Sequence, residues 1–485
     1  MNINNRTVSR RQWLNLALAA AGAAATPGVL WADNDRDGFE GDSGSDHHYG
    51  SGSSSAVNTV PTSGPSAHVV VIGGGMAGAT VAKYLRLWGG VNLQVTLVEP
   101  DSAYTSNIMS NLVLNGSMAI GQLAYSHDPL SSLYGVTLKR ARVTAIDAAN
   151  QVVTLTDNTA LSYDRLVVAP GVEFMPAYGL SIADYETKTP HAWRAGPQTT
   201  LLQQQIAGMA NGDTFVMTIP MAPYRCPPGP YERACLVADT LKRSNRGACK
   251  VIVLDENAGI QAEKENFSTA FNSIHAGVIE YHAGVTDIRI DPDTKVVNCV
   301  TYADGARSIS AKVVNPIPPH RAAGIGSGDL SDADRSGWFA KAGLNNSSNG
   351  RWGVVDVLSY ASTHPQAAGV HIIGDASLCG LPKAGHVGNQ EAKICADAIV
   401  RLLSGGQPDP QPVANSACYS PITANTASWL TAVYQYDAGS TKMMVAANGG
   451  LTGNGAGAVE AASISSSNYR QMFTWFNTLM RDSFA

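Results

Sequence analysis

The stretch HVVVIGGGMAGATVAKYL, residues 68–85, limits the fold more than any other part of the chain. Four apolar residues, Val69 to Ile72, run straight into three glycines and then an alanine-rich helical pattern. This is how a βαβ unit opens. Gly73, Gly75 and Gly78 fit G-x-G-x-x-G: the first makes the tight turn, the second lets backbone approach a pyrophosphate, and the third lets helix pack on strand. An anion then sits on the helix N-terminus, where free N–H groups and the dipole favour it. A second strand, LQVTLVEP, ends in Glu99, 24 residues after Gly75. A carboxylate there accepts hydrogen bonds from ribose hydroxyls and repels a 2′-phosphate. Together these features predict a dinucleotide site.

Two later segments narrow the dinucleotide to FAD. YDRLVVAPGVEF is a strand ending in Ala169-Pro170-Gly171, and it looks like the strand that leaves the FAD domain in flavoproteins with two dinucleotide-type domains. GVHIIGDASL is an apolar strand closing on Gly374-Asp375, followed by the helical run NQEAKICADAIVRLL. In flavoproteins of that kind such an aspartate holds the ribityl chain. The helix after it aims its positive N-terminus at the pyrimidine edge of the ring.

Between these segments lies a second unit of the same type, with GDTFVMTIP and KVIVLDE as its first two strands. Its opening loop, IPMAPYRCPPGPYE (residues 219–232), should be glycine-rich if a nicotinamide nucleotide docked there. Instead Pro220, Pro223, Pro227, Pro228 and Pro230 remove N–H donors and stiffen the turn. The electron donor is therefore expected not to be a nicotinamide. Cys226 stands near where a nicotinamide would have met the flavin.

The chain has 485 residues, 44 % of them hydrophobic, which suits two to four domains. Its net charge of −5 argues against nucleic acid as the main partner. SRRQWLNLALAAAGAAATPGVLWA sets Arg10-Arg11 before an apolar run that Pro27 interrupts and that is too short to span a membrane comfortably. It predicts a twin-arginine export signal over 1–32, cut after Ala32, and a periplasmic mature protein. Residues 33–66 are rich in Gly, Ser and Asp and read as a flexible linker, with His47-His48 a solvated pair. No C-x-x-C-H occurs, so the chain carries no c-type haem of its own.

From about residue 67 to its C-terminus the chain resembles the flavoprotein subunit of flavocytochrome c sulfide dehydrogenase, a relative of sulfide:quinone oxidoreductase. The motifs are HVVVIGGGMAGATVAKYL, PHAWRAGPQT, APYRCPPGPYERA, IGDASLCGLPKAGH, NSACYSPITAN and YRQMFTWFNTLMRDSF. The resemblance implies an α/β fold with two Rossmann-like domains, arranged as in glutathione reductase, and a smaller C-terminal α+β domain. The expected parts are FAD-binding residues 67–185 and 321–407, a degenerate nucleotide-type domain over 186–320, and a C-terminal interface domain over 408–485. The FAD-binding residues expected are Gly73, Gly75, Gly78, Glu99, Asn107, Ala169, Gly171, Gly374 and Asp375.

On the residues alone, Cys226 and Cys418 read equally well as buried thiols or as a structural bridge. The resemblance implies more: a disulfide between them beside the flavin. Hydrosulfide would attack it by thiol–disulfide exchange, and two electrons would enter the flavin. Glu232 then handles protons, and Lys383 offsets charge near the ring. Cys379 is the alternative partner for Cys226, and His386 is left open. Many members attach FAD through a cysteine; here Asn107 falls at that position, so non-covalent FAD is expected. The haem would belong to a c-type cytochrome partner. The alternatives are quinone as acceptor, or a non-catalytic flavin-binding scaffold for a cytochrome. The aromatic last segment, from Tyr469 to Met480, suits a packed core or subunit face better than a membrane-surface helix.

Overall fold

The first sheet forms around β1 (Ala67–Ile72), whose residues Val69 to Val71 are fully buried. Strands covered on both faces read as unbroken apolar runs, which is why this segment shows no alternation. The structure is a computed structural model describing residues 59–326, 334–447, 450–452 and 457–485. The export signal and the linker up to residue 58 lie outside the described residues. Residues 59–66, expected in that linker, instead lie against the turn that ends the first helix. There the Val91 N–H donates to the Pro61 carbonyl at 2.8 Å.

The chain runs from β1 through α1 (Met76–Gly89) to β2 (Leu93–Val98), then to β3 (Thr137–Lys139) and β4 (Arg165–Val168). It leaves to build a second, all-parallel sheet from β5 (Thr214–Ile219), α2 (Gly229–Arg243), β6 (Lys250–Asp255), β7 (Ile279–Ala283) and β8 (Val313–Pro316), in the order β7-β6-β5-β8. It then returns to the first sheet as β9 (Gly353–Asp356), β10 (Ala361–Ser362), β11 (Val370–Ile372) and β12 (Ser377–Leu378). The completed sheet has the order β12-β9-β10-β11-β4-β1-β2-β3.

Register positions the site. β1 and β11 both pair in parallel with β4, setting Ile72, Val168 and Ile372 in one row. The turns at Gly73, Ala169 and Gly374 therefore leave the same edge side by side, at the carboxyl ends of parallel strands where nucleotides bind.

After β12 comes α3 (Gly385–Leu403), whose Gly388 lies against Ala77 of α1. The C-terminal part is an antiparallel sheet of β13 (Val413–Pro421), β14 (Ala427–Asp437), β15 (Lys442–Ala447) and β16 (Gly450–Thr452), with β17 (Val459–Glu460) paired to β14. The last helix, α4 (Ser466–Phe484), is N-capped by Ser465 and turns Met472, Phe476, Leu479 and Met480 into the core. Phe484 stacks on Tyr104 at 5.2 Å, so this helix closes one side of the first sheet's edge. Among the described residues no helix is long and apolar enough to cross a membrane.

Candidate functional site

The three turns open into one cavity of about 590 Å³, within the usual range for cofactor sites. Gly73 has φ 94°, and a Cβ there would lie 2.3 Å from the Ala169 carbonyl oxygen. A Cβ on Gly78 would lie 1.7 Å from the Gly73 carbonyl oxygen, so this glycine lets the helix rest on the turn rather than face the cavity. Gly75 is different: its nearest neighbour would be Tyr104 at 3.8 Å. Backbone is bare there, as pyrophosphate requires.

Two helix N-termini meet the cavity. Neither Gly75 before α1 nor Ala384 before α3 supplies a side-chain cap, so their first N–H groups are free for an anion. Glu99 lines the far end, its Oε2 accepting from Gly74 N at 2.7 Å and its Oε1 from Asp101 N at 3.0 Å. Ala169, Gly171, Gly374 and Asp375 line it too. Burial pushes the Asp375 carboxyl up, against the opposing charges of Arg225 and Lys383. Asn107 Oδ1 accepts from Ala195 N at 2.8 Å, tying its loop to the PHAWRAGP segment. Bare glycine, two uncapped helices and a carboxylate suit a dinucleotide with a polar chain, so these residues fit FAD.

The proline-rich loop between β5 and α2 forms the opposite wall. Four of its N–H groups are already used. Met221 donates to Glu256, Ala222 to Asn257, Arg225 to His320 Nδ1 and Cys226 to the Lys383 carbonyl, at 3.2, 2.9, 3.0 and 2.7 Å. Cys226 sits in the left-handed region at φ 60°. Gly229 at the start of α2 makes room for it: a Cβ there would lie 2.8 Å from Cys226 Sγ.

Cys418, on β13 opposite Leu430, lines the same cavity from the C-terminal sheet. Both residues are half-buried free cysteines here, so the expected disulfide is not formed in this structure. Burial, with the Glu232 charge, pushes the Cys226 thiol up to about 12, while Arg225 opposes it. Burial likewise raises the Cys418 thiol well above its usual range, with Cys226 and Glu263 adding to the effect. Burial thus makes a thiolate at either sulfur costly to form.

Glu232, in the first turn of α2, faces this cavity. Its Oε1 accepts from Asn111 Nδ2 at 2.9 Å. Burial pushes it up to about 8, although the Asn111 bond pulls the other way. His386 also lines the cavity; its Nδ1 accepts from Ala417 N at 3.0 Å, leaving its proton on Nε2. Burial holds it neutral, at about 4.

Lys383 is not in the cavity wall. It is buried behind the Asp375 turn, donating to the carbonyls of Asp375 (2.8 Å) and Ser377 (2.7 Å), with Nζ 3.8 Å over the Trp352 ring. In this position it anchors the loop that carries Asp375. Cys379 also points away; its Sγ donates to Glu391 Oε1 at 3.0 Å. Sequence reasoning missed Glu391, whose Oε2 accepts from Gly374 N. It also missed Asn111 as an active part, and Arg233 behind it. What the Asn111 amide does is revealed only by its contacts.

The fold and site define a flavoprotein oxidoreductase with two nucleotide-type domains. Family models match over residues 67–205 (pyridine nucleotide-disulphide oxidoreductase), 199–318 (sulfide dehydrogenase (flavocytochrome c) flavoprotein chain, central) and 410–484 (flavocytochrome c sulphide dehydrogenase, flavin-binding). A relative from Chlorobaculum thiosulfatiphilum, the flavoprotein chain of flavocytochrome c sulfide dehydrogenase, is 51 % identical over 45 residues, covering 9 % of this chain and 92 % of that sequence. The chain belongs to the flavocytochrome c sulfide dehydrogenase flavoprotein family, and its cofactor is FAD.

Ferroptosis suppressor protein 1 of Taeniopygia guttata is 30 % identical over 106 residues, or 22 % of this chain; the chain spans only 27 % of that relative's length. The sulfide:quinone oxidoreductase structure from Aquifex aeolicus superposes with a TM-score of 0.64 at 17 % identity, covering 86 % of this chain and 92 % of that one. At that identity the likeness speaks for the fold alone.

Proposed function

We propose that the protein oxidises sulfide, or a related reduced sulfur species, through a disulfide between Cys226 and Cys418, and that the electrons pass by way of FAD to a c-type cytochrome on another chain. The observation that carries this reading is the meeting of two cysteines, from separate domains, in the cavity where both uncapped helices begin. Hydrosulfide attacks one sulfur of the disulfide. One S–S bond breaks and another forms, leaving a persulfide on one cysteine and a thiolate on the other. Arg225 supplies positive charge beside Cys226 for the incoming anion. Glu232, poised near neutral pH, takes up the proton that hydrosulfide brings. FAD supplies a two-electron acceptor that can give electrons up one at a time. The proline loop, with four of its N–H groups bonded within the protein, argues against a nicotinamide donor. FAD is held without a covalent bond, Asn107 standing where a cysteine would attach it.

The protein acts in the periplasm on this reading, exported through the signal over 1–32 that carries Arg10-Arg11. Lysine at both positions should trap it in the cytoplasm on cell fractionation.

The test is the absorbance of purified protein before and after anaerobic sulfide. Sulfide should bleach the flavin and NADH should not. Cys226→Ser and Cys418→Ser should each keep FAD, releasable by acid, yet lose sulfide-dependent bleaching by orders of magnitude. A purely structural bridge predicts otherwise: lower thermal stability but normal turnover by the folded fraction. Non-reducing peptide mapping checks the pairing, and a Cys226–Cys379 peptide would refute it. Reduction of added cytochrome c rather than quinone distinguishes the acceptors; a flavin that sulfide never bleaches leaves only a scaffold.

A further inference from the structure

Glu263 lies behind Cys418 and has no part in the chemistry above. It precedes the short helix Lys264–Thr269, is 1 % exposed, and has left-handed backbone at φ 50°. That conformation costs a residue other than glycine about 1–2 kcal/mol. Its Oε1 accepts from Ser420 Oγ at 2.6 Å, while Oε2 and the neighbouring Ser428 Oγ are buried without a well-formed hydrogen bond. A buried, half-satisfied carboxyl on strained backbone costs stability wherever it is ionised. Such a residue survives where the fold overrides its cost, and such sites cluster where chemistry is done.

Its surroundings say which chemistry. Ser420 stands two residues beyond Cys418 on β13, so both side chains leave the same face of the strand. The titratable groups whose charge reaches this pocket are Glu232 and Cys235 on α2, Cys418 on β13 and Glu460 on β17. The cation in the group, Arg233, acts on Glu232.

We propose that Glu263 is a second proton acceptor for the cysteine pair, standing behind Cys418 as Glu232 stands by Cys226. The proposal rests on the sulfide reading for its substrate, but its physical core is the coupling of Glu263 to the Cys418 sulfur. When the thiolate left on Cys418 takes up a proton from solvent, that proton must leave the sulfur again before the pair can close. In that transfer one S–H bond breaks, one O–H bond forms on the carboxylate, and no electron moves. Burial lifts Glu263 to about 7, so it can take the proton and release it near neutral pH.

The experiment measures alkylation of Cys418 by iodoacetamide, read by peptide mass spectrometry, in FAD-loaded protein reduced with dithiothreitol, from pH 5.5 to 9.5. As Glu263 ionises, the Cys418 thiolate becomes harder to form. Wild type should therefore show a shoulder near pH 7 in a profile that otherwise rises steadily. Glu263→Gln should lose the shoulder and react roughly tenfold faster above it, the effect of one unit in thiol pKa. Ser420→Ala, which removes a bond that favours the carboxylate, should move the shoulder to higher pH. A role confined to folding would change the unfolding temperature and leave both profiles on that of wild type, and that result overturns the proposal. The same proteins then meet sulfide. If the alkylation profiles shift but sulfide bleaches none of them, the sulfide reading falls and the coupling of Glu263 to Cys418 stands. If sulfide bleaches wild type and Glu263→Gln equally fast across the whole pH range, the proton-acceptor role is overturned.

Discussion

Asn111 joins both halves of the site through one small side chain. Its Nδ2 donates to Glu232 Oε1 at 2.9 Å and to the Gly229 carbonyl at 3.2 Å, while its Oδ1 accepts from Arg233 Nε at 2.9 Å. Arg233, 1 % exposed, also donates to the carbonyls of His191 and Ala192 and lies over the Trp193 ring. Asn111 thus holds Glu232 in place and makes its ionised form cheaper. Removing the amide reverses that. Asn111→Ala should raise the Glu232 inflection above its present position of about 8, seen as a higher-pH step in the alkylation profile of Cys226. Glu232→Gln should abolish the step. An unchanged step in Asn111→Ala would mean that burial alone sets this carboxyl. In the sequence Asn111 is one polar residue in SNLVLNG. Its work depends on α2 crossing the segment around it, and no local pattern encodes that crossing.

The elements around Asp375 form a clamp. From α3, Glu391 reaches back to accept the Gly374 N–H and the Cys379 thiol, while Lys383 fastens the carbonyls of Asp375 and Ser377 from the other side. Burial raises the Glu391 carboxyl and lowers the Lys383 ammonium, so each depends on its partners to keep a charge. The clamp sets where Asp375 and the α3 N-terminus stand relative to the cavity. Lys383→Met fills similar volume and releases both carbonyls. Hydrogen bonds to charged groups contribute roughly 1.5–3 kcal/mol, so FAD affinity should fall about ten- to a hundredfold. Fluorescence titration of FAD-free protein measures it. With FAD saturating, flavin reduction by sulfide should stay close to wild type; a large loss there would restore a role for Lys383 at the ring. Motif position alone had set Lys383 beside the flavin. The turn after Asp375 sends its side chain behind the wall, onto Trp352, and backbone direction of that kind is not written in residue spacing.

Over the whole molecule, legibility followed the range of the forces. The three turns were readable because each is local: a strand, then glycine or proline, then a helix. Their convergence followed from parallel pairing of β1, β4 and β11. The buried ionisable groups were not readable, because their burial comes from packing between domains. They nonetheless set how stability depends on pH. Glu232 and Glu263, at about 8 and about 7, bind a proton more tightly folded than unfolded, and Glu391 is raised as well. Their contribution is complete below the unfolded value near 4.5 and is lost as pH rises through 7 to 8. Five histidines act in the opposite sense. His191 is lowered to about 3 and His371 and His386 to about 4, and burial lowers His275 and His320 as well. Their contribution is complete above about 6.5 and is lost as pH falls toward those values. With a net charge of only −5, overall repulsion adds little. Stability of the FAD-free protein should therefore peak near pH 6 and fall on both sides, each unit of pKa shift being worth about 1.4 kcal/mol at most. Urea unfolding at a series of pH values checks this. The double variant Glu232→Gln, Glu263→Gln should flatten the alkaline limb and leave the acid limb in place. An alkaline limb as steep as that of wild type would mean that both carboxyls are ionised and solvated in the folded protein, against the burial described here.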